Sequence, residues 1–203
     1  FRVVKWSGTL RGRESQRFVW QAPDAISVDP LLPANAPILG ALRLPPVYAI
    51  THAAELGRPE LLRQLEQALA RGLRLVQVRE KNLRENELRE LAVRVIGLAH
   101  AHGARVLVNG SPQLARELGA DGVHLTSALL KKTRLRPDLG LVGASCHDAD
   151  ELARAQALGA DLAVLGPVAP TPSHPGAAGL GWTIRPMTIR PISGSRRARR
   201  GQG

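Results

Sequence analysis

Residues Leu162–Gly176 read LAVLGPVAPTPSHPG. The first half is an apolar run ending at Gly166, the pattern of a buried strand. The second half is a loop in which Thr171, Ser173 and His174 alternate with Pro170, Pro172 and Pro175. These prolines and Pro167 exclude a helix and stiffen the loop. A buried strand running C-terminally into a Gly/Pro/Thr/Ser loop is how α/β barrels present ligand sites. Thr171, Ser173 and nearby backbone N–H groups suit phosphate oxygens. The other reading is a rigid connection that holds no ligand.

Upstream, the same kind of unit recurs. Short apolar runs at Val47–Thr51, Leu73–Arg79, Arg105–Asn109, Val123–Thr126 and Leu141–Ser145 predict strands, with Leu162–Val168 the sixth. Helical periods lie between them. One opens at Pro59, with apolar positions 61, 62, 65, 68 and 69, and ends near Gly72. A second is capped by Asn82 with Glu85 as a capping box; its face is 88, 91, 92, 95, 98 and 99, and Gly103 stops it. A short helix spans Pro112–Leu118, and a capping box of Asp148 and Glu151 opens another that ends at Gly159. Leu118-Gly119-Ala120-Asp121 returns as Leu158-Gly159-Ala160-Asp161, each time between helix and strand. Such repeats mean parallel strands with helical crossovers. Without a dinucleotide glycine fingerprint they predict an α/β fold, a TIM-type (β/α)8 barrel with six of its eight strands present, rather than a Rossmann sheet. Residues 182–203 show neither an amphipathic helix nor a strong strand, and read as an Arg-rich tail, disordered or frame-shifted.

Residues 1–45 differ in texture. Val3, Val4, Trp6 and Phe18-Val19-Trp20 around Ser7-Gly8 and Gly12 predict strand, turn, strand. Pro37 opens a short helix carrying Ile38, Leu39 and Leu42, preceded by Asn35 at a bend, where an Asx turn or cap is one reading. Leu44-Pro45-Pro46 is the expected boundary, so the chain divides as 1–45, 46–181 and 182–203.

The 203 residues are 44% hydrophobic but only 3% aromatic, so aliphatic packing must supply the core. The single cysteine, Cys146, excludes an internal disulfide and fits a reducing cytoplasm. No apolar run reaches the ~18 residues of a membrane span. The net charge of +11 owes six charges to arginines 185, 190, 196, 197, 199 and 200 in an acid-free tail. No helix-turn-helix, aromatic stacking motif or zinc-knuckle spacing accompanies it, so a nucleic-acid module is not expected.

The predicted strand ends collect polar groups: Thr51, Gln77, Arg79, Lys81, Asn109, His124, Thr126, Ser145, His147 and the Thr171–His174 loop. Cations and hydroxyls converging on a barrel mouth suggest a phosphate or pyrophosphate site. A solvated charge run at Arg79 and Lys81, and structural roles for the histidines, remain open alternatives.

VYAIT, VQVREK, VLVNG, DGVHL, GASCHD and VLGPVAPTPSHPG, in that order over about Val47–Gly176, resemble thiamin phosphate synthase and its TenI relatives. The resemblance implies a TIM barrel. Its synthase joins an aminopyrimidine diphosphate to a thiazole phosphate with Mg2+. It further implies that Gln77, Arg79 and Lys81 bind the pyrimidine and diphosphate. Asn109 matches the asparagine of an Asn-Asp pair, Ser145 a diphosphate contact, and Thr171 and Ser173 the hydroxyls of the Thr-Pro-Thr-Lys loop. The departures are specific. Gly110 replaces the aspartate of the pair, the acids expected after Gly-Val-His-Leu are missing from Thr126–Leu129, and His174 replaces the loop lysine. Mg2+ needs oxygen ligands, so metal-dependent synthase chemistry is not expected, nor a metal site in this chain. TenI relatives lack the same ligands; those that are thiazole tautomerases use a histidine near the end of the fifth strand. His147 holds that place and is the expected general acid/base; the alternative is a helix-start neighbour of Asp148.

Residues 1–45 resemble the end of a MutT-type Nudix hydrolase, an 8-oxo-dGTP diphosphatase, through Trp6-Ser7-Gly8, Gly12–Gln16, Val19-Trp20 and Leu32–Leu39. That resemblance implies a nucleobase contact for Asn35. The Nudix box is absent, so Mg2+ belongs only to an intact Nudix half, and no other cofactor is expected. The chain reads as the C-terminal part of a Nudix–TenI fusion, a β-rich remnant before an incomplete barrel. The expected partner is a thiamin-precursor phosphate or pyrophosphate, with a homodimer left open. The alternative function is a regulatory or scaffold domain serving the Nudix half, or an inactive fragment.

Overall fold

The computed structural model describes residues 5–9, 11, 12, 14 and 17–167. Its centre is a sheet of six strands: β1 (Ala49–Ile50), β2 (Leu75–Val78), β3 (Arg105–Asn109), β4 (Gly122–Leu125), β5 (Leu141–Cys146) and β6 (Leu162–Leu165). Each strand lies beside its sequence neighbour and all pairings are parallel. A doubly wound sheet reverses its strand order at a switch point. This order never reverses, so the sheet curls one way as half of a barrel wall.

Alternation separates the two faces of the wall. On the outside, Val76, Val78, Val106, Val108, Val123, Leu125, Val142 and Ala144 pack against helices in one continuous core. Those helices are α3 (Arg58–Ala70), α4 (Glu85–Ala101), α5 (Pro112–Glu117), α6 (Ser127–Lys132) and α7 (Ala149–Leu158). α3 buries Leu61, Leu62, Leu65 and Leu69, and α4 buries Leu91, Ala92, Val95, Ile96 and Ala99. Each leucine so buried stabilises the fold by roughly 1.5–3 kcal/mol. On the inside, Leu75, Leu107 and Leu141 form a second, smaller cluster against Leu44, Tyr48 and Leu162.

The repeated Leu-Gly-Ala-Asp has a clear use. Gly119 and Gly159 take positive φ (69° and 78°), ending α5 and α7 where an L side chain would be strained. Each aspartate then clamps the preceding strand. Asp121 Oδ2 accepts the Val106 N–H, and Asp161 Oδ2 the Val142 N–H, both at 2.7 Å. His100 and Arg136 hold the same two oxygens from outside, both at 2.9 Å.

Several boundaries differ from expectation. α4 starts at Glu85, two residues later than a cap at Asn82 predicts, because Glu87 rather than Glu85 receives the N–H at the helix start, that of Arg84 at 3.2 Å. α6 and the four-residue α2 (Ala53–Leu56) are too short to show a period in sequence. β1 is only two residues long, and β6 ends at Leu165. The strand expected at Phe18–Trp20 is not formed, and Val3 and Val4 lie outside the described residues. The N-terminal segment contains a 3-10 turn at Pro33–Asn35 and α1 (Ala36–Leu42). Trp6, Phe18, Val19 and Trp20 are all more than half exposed, and Trp6 stacks on Trp20 at 5.1 Å. A strand needs a partner and a face to bury, and these side chains stay exposed. α1 itself forms where Pro37 predicts it.

Candidate functional site

The buried polar and charged residues among those described are Thr51, Gln77, Glu80, His124 and Glu151. All five gather at the C-terminal end of the sheet. Burying a polar group without a partner is expensive, and each of these has one.

Two of them fasten the wall. Thr51 donates its N–H to Gln77 O at 2.9 Å and accepts the Arg79 N–H on Oγ1 at 3.0 Å, so the ends of β1 and β2 are tied. Both oxygens of Glu80 lie 2.9 Å from the Ala53 N–H at the start of α2.

The inner face changes character along the strands. Two residues beyond Leu75 and Leu107 stand Gln77 and Asn109, and the Gln77 amide donates to Asn109 Oδ1 at 3.2 Å. On β4, His124 is 1% exposed and bridges two hydroxyls, with Nδ1 3.1 Å from Tyr48 Oη and Nε2 3.0 Å from Ser145 Oγ. Burial, and then the nearby Arg79 charge, press its pKa down to about 4, so the ring is neutral. Burial pushes the Tyr48 phenol up from its ordinary value. Gly143 makes room for the ring, because a Cβ there would sit 2.6 Å from His124 Nδ1.

At the end of β5 the carboxylate of Glu151 is the hub. Asp148 caps α7 as the sequence predicts, accepting the Glu151 N–H at 2.7 Å. Glu151 does not complete the box. Its Oε2 accepts the His147 backbone N–H at 2.8 Å and meets the ring Nδ1 at 3.1 Å, while Oε1 takes Ser127 Oγ at 2.5 Å and Lys131 Nζ at 2.7 Å. Burial alone would raise its pKa; the donors from Lys131, Ser127 and His147 outweigh this and hold it at about 2. An ionised carboxylate against Nδ1 fixes the ring proton on that nitrogen and makes Nε2 the basic one. The His147 side chain is 41% exposed. Cys146, just before it, faces the outer core, and burial raises its thiol to about 11, which removes it as a nucleophile.

Of the residues singled out from sequence, Gln77 and Asn109 are brought together, and Ser145 is joined to His124. Arg79 stands half-buried near His124, and Lys81 is exposed beyond them. Asn35 ends the 3-10 turn before α1, its side chain making no cap hydrogen bond. Thr171, Ser173 and His174 lie outside the described residues. Tyr48 was not singled out; its signal is that the one tyrosine of the chain stands just before β1, against the inner cluster. Glu151 was read only as a cap.

The positions that would hold magnesium do not fit it. Gly110 has no side chain, and Thr126 Oγ1 is engaged at the start of α6 by the Leu129 N–H at 3.3 Å. The nearby carboxylates of Glu80 and Glu151 already serve other donors, and no cluster of His, Cys, Asp and Glu among the described residues is arranged for a metal. Among the same residues no helix is long and apolar enough to cross a membrane.

The family model described as thiamine monophosphate synthase matches residues 47–190. The chain belongs to that family. A Geobacter sulfurreducens relative is 44% identical over 130 residues, 63% of this chain and 61% of its own length. The thiamine-phosphate synthase of Gloeobacter violaceus is 41% identical over 126 residues, 61% of this chain and 37% of that protein. Among solved structures, thiamine phosphate pyrophosphorylase from Pyrococcus furiosus superposes with a TM-score of 0.50 at 29% identity, covering 61% of each chain. The chain thus spans between 37% and 61% of the length of these relatives. The synthase-like half-barrel agrees with the strand order.

Proposed function

We propose that the family domain binds a phosphate-bearing thiamin precursor at the C-terminal end of the sheet and catalyses metal-free proton transfer on a thiazole phosphate through His147. The observation that carries this reading is the pairing of His147 with a buried, ionised Glu151 at the end of β5. Glu151 holds the ring by its Nδ1 and its backbone by the N–H, which orients the basic Nε2. Ser145, Asn109 and Gln77 offer neutral polar contacts, and Arg79 and Lys81 supply cations for the phosphate. Thr171, Ser173 and His174 would complete the anion site. In this reading nothing replaces the missing metal carboxylates, so pyrimidine–thiazole coupling is lost.

The test is solvent deuterium incorporation into a thiazole phosphate. The wild-type chain should promote it, and His147→Gln should slow it by about 100-fold or more, the usual contribution of a positioned acid/base. Equal rates for the two proteins would rule out His147 as the base.

The MutT-type reading of residues 1–45 is a separate proposal, in which the chain derives from a Nudix–TenI fusion. It is supported by the Leu32–Leu39 motif and by the free choice of partner left to Asn35, whose side chain makes no cap bond. Unchanged 8-oxo-guanine nucleotide affinity in Asn35→Ala would remove it.

A further inference from the structure

The two cations of the mouth stand on a strand end that has run out of neighbours. β2 pairs with β3 as far as Val78 and with β1 as far as Gln77. Arg79, Glu80 and Lys81 project beyond the ladder on both sides. A strand end without ladder bonds frays, and a side chain on a loose end must be ordered before it can bind.

Alternation continues past the end of the ladder. Gln77 faces inward, and so does Arg79, whose charge reaches His124. Val76 and Val78 face the outer core, and the next residue of that row is Glu80. A carboxylate that ends an apolar row and is only 9% exposed is unusual. The path of the neighbouring chain explains it. β1 ends at Ile50 and the chain turns through Thr51 into α2, so the last backbone bond from that side is Thr51 N–H to Gln77 O. Two side chains take over from the ladder. Thr51 Oγ1 accepts the Arg79 N–H at 3.0 Å, and Glu80 accepts the Ala53 N–H, with each oxygen at 2.9 Å. Among the described residues, these two bonds hold residues 79–81 to the sheet. The Ala53 N–H is an orphan donor of a helix start. Ala53 itself is buried in the outer core, so this end of the tie is fixed.

We propose that Glu80 is a positioning residue that ties the free end of β2 to the start of α2 and so holds the backbone from which Arg79 and Lys81 reach the mouth of the half-barrel. Glu80 meets no ligand, because its carboxylate lies in the outer layer. Residues 79 and 81 carry the charge, and residue 80 carries the anchor on the opposite face. That the two cations receive a phosphate rests on the function proposed above. The anchor does not, since it follows from contacts within the protein.

The test compares the full 203-residue chain with Glu80→Gln and Glu80→Ala. Either oxygen alone reaches the Ala53 N–H, so glutamine should replace glutamate. Amide 15N relaxation should give residues 79–81 order parameters of about 0.85 in the wild type and in Glu80→Gln, and below about 0.6 in Glu80→Ala. Inorganic pyrophosphate should bind about 10-fold more weakly to Glu80→Ala, the equivalent of one hydrogen bond to a charged group, and as tightly as the wild type to Glu80→Gln. With Arg79→Ala and Lys81→Ala already in place, Glu80→Ala should cause no further loss, whereas a general weakening of the fold would. Loose residues 79–81 in the wild type overturn the anchor. So do rigid ones in Glu80→Ala, or a Glu80→Gln as loose as Glu80→Ala. If Glu80→Ala folds poorly, Ala53→Pro removes the donor instead, at a first helical position that accepts proline; residues 79–81 that stay rigid there overturn the anchor equally. Failure of the wild type to bind pyrophosphate overturns the phosphate role of the cations, and the order parameters still decide the anchor.

Discussion

The two ends of the sheet are chemical opposites. At the N-terminal end an open cleft is lined by Arg43, Arg71, Arg74 and Arg105, with Asp24 as its acid. At the C-terminal end two cations, Arg79 and Lys81, stand beside groups that are mostly buried and neutral: Gln77, His124, the half-buried Ser145 and the paired Glu151. Charge alone would place an anion at the first end. The hydrogen bonds argue the other way. Arg74 Nη1 donates to Leu69 O and Leu73 O at 2.9 and 2.8 Å, answering the carbonyls where α3 ends. Arg105 Nη2 donates to Arg43 O at 2.9 Å, and Arg43 Nε to Pro23 O at 2.9 Å. These guanidiniums complement a helix C-terminus, whose dipole repels anions, and hold the N-terminal segment to the half-barrel. The positive end is fastening, and the quiet end is where polar groups are fixed in advance of a ligand. Where donors are already directed tells more than how many charges there are.

The largest effect that would sharpen this contrast is at Glu151. Glu151→Ala leaves Lys131, Ser127 and His147 without their common acceptor; Lys131 is 59% exposed, so the loss is that of the hydrogen bonds to the carboxylate, about 1.5–3 kcal/mol for each bond to a charged group. Urea melts should show it, together with loss of His147-dependent exchange. A change under about 1 kcal/mol would mean that the hub holds little.

Acid pH should act on the same end. His124 has a folded pKa of about 4 against 6.5 unfolded. The unfolded chain therefore binds the proton first, and stability falls as pH drops from about 6.5 to 4, by about 3 kcal/mol from this group. Glu151, held at about 2, contributes stability that is complete above about 4.3 and is lost as pH falls toward 2. His124→Gln should flatten the upper limb and leave the lower one. An unchanged slope between pH 6.5 and 4 would contradict the neutral, buried ring.

Gly143→Ala comes next. The new methyl would meet His124 Nδ1 at 2.6 Å, so the ring must move, at about 1–3 kcal/mol for an overpacked site. Pyrophosphate binding should weaken with it. The smallest effect belongs to the other end: Arg105→Ala should cost about 1 kcal/mol or less, the loss of one exposed hydrogen bond to the Arg43 carbonyl, and leave pyrophosphate affinity unchanged.

What could be read from sequence follows the same physics. β3 matches its expected bounds, Arg105–Asn109, because a run buried on both faces between a glycine stop and a Ser-Pro start has one interpretation. The helix faces of α3 and α4 were legible from period alone. The strand expected at Phe18–Trp20 does not form, because alternation shows which face would be buried, and not whether anything covers it. Gln77 and Asn109 were found as polar residues at strand ends. Glu151 and Tyr48 were not, because their partners lie on other elements; Tyr48 and His124 are 76 residues apart. The half-barrel was visible as repeated local units, while the site within it is made of long-range pairs.

The most direct test of the contrast between the ends is to titrate inorganic pyrophosphate into the 15N-labelled chain and follow its amide resonances. Perturbations concentrated at Gln77, Asn109, Ser145 and His147, with Arg43, Arg74 and Arg105 unmoved, are the predicted result. Perturbations concentrated at the three arginines, with the strand ends silent, would contradict it and move the binding site to the N-terminal cleft.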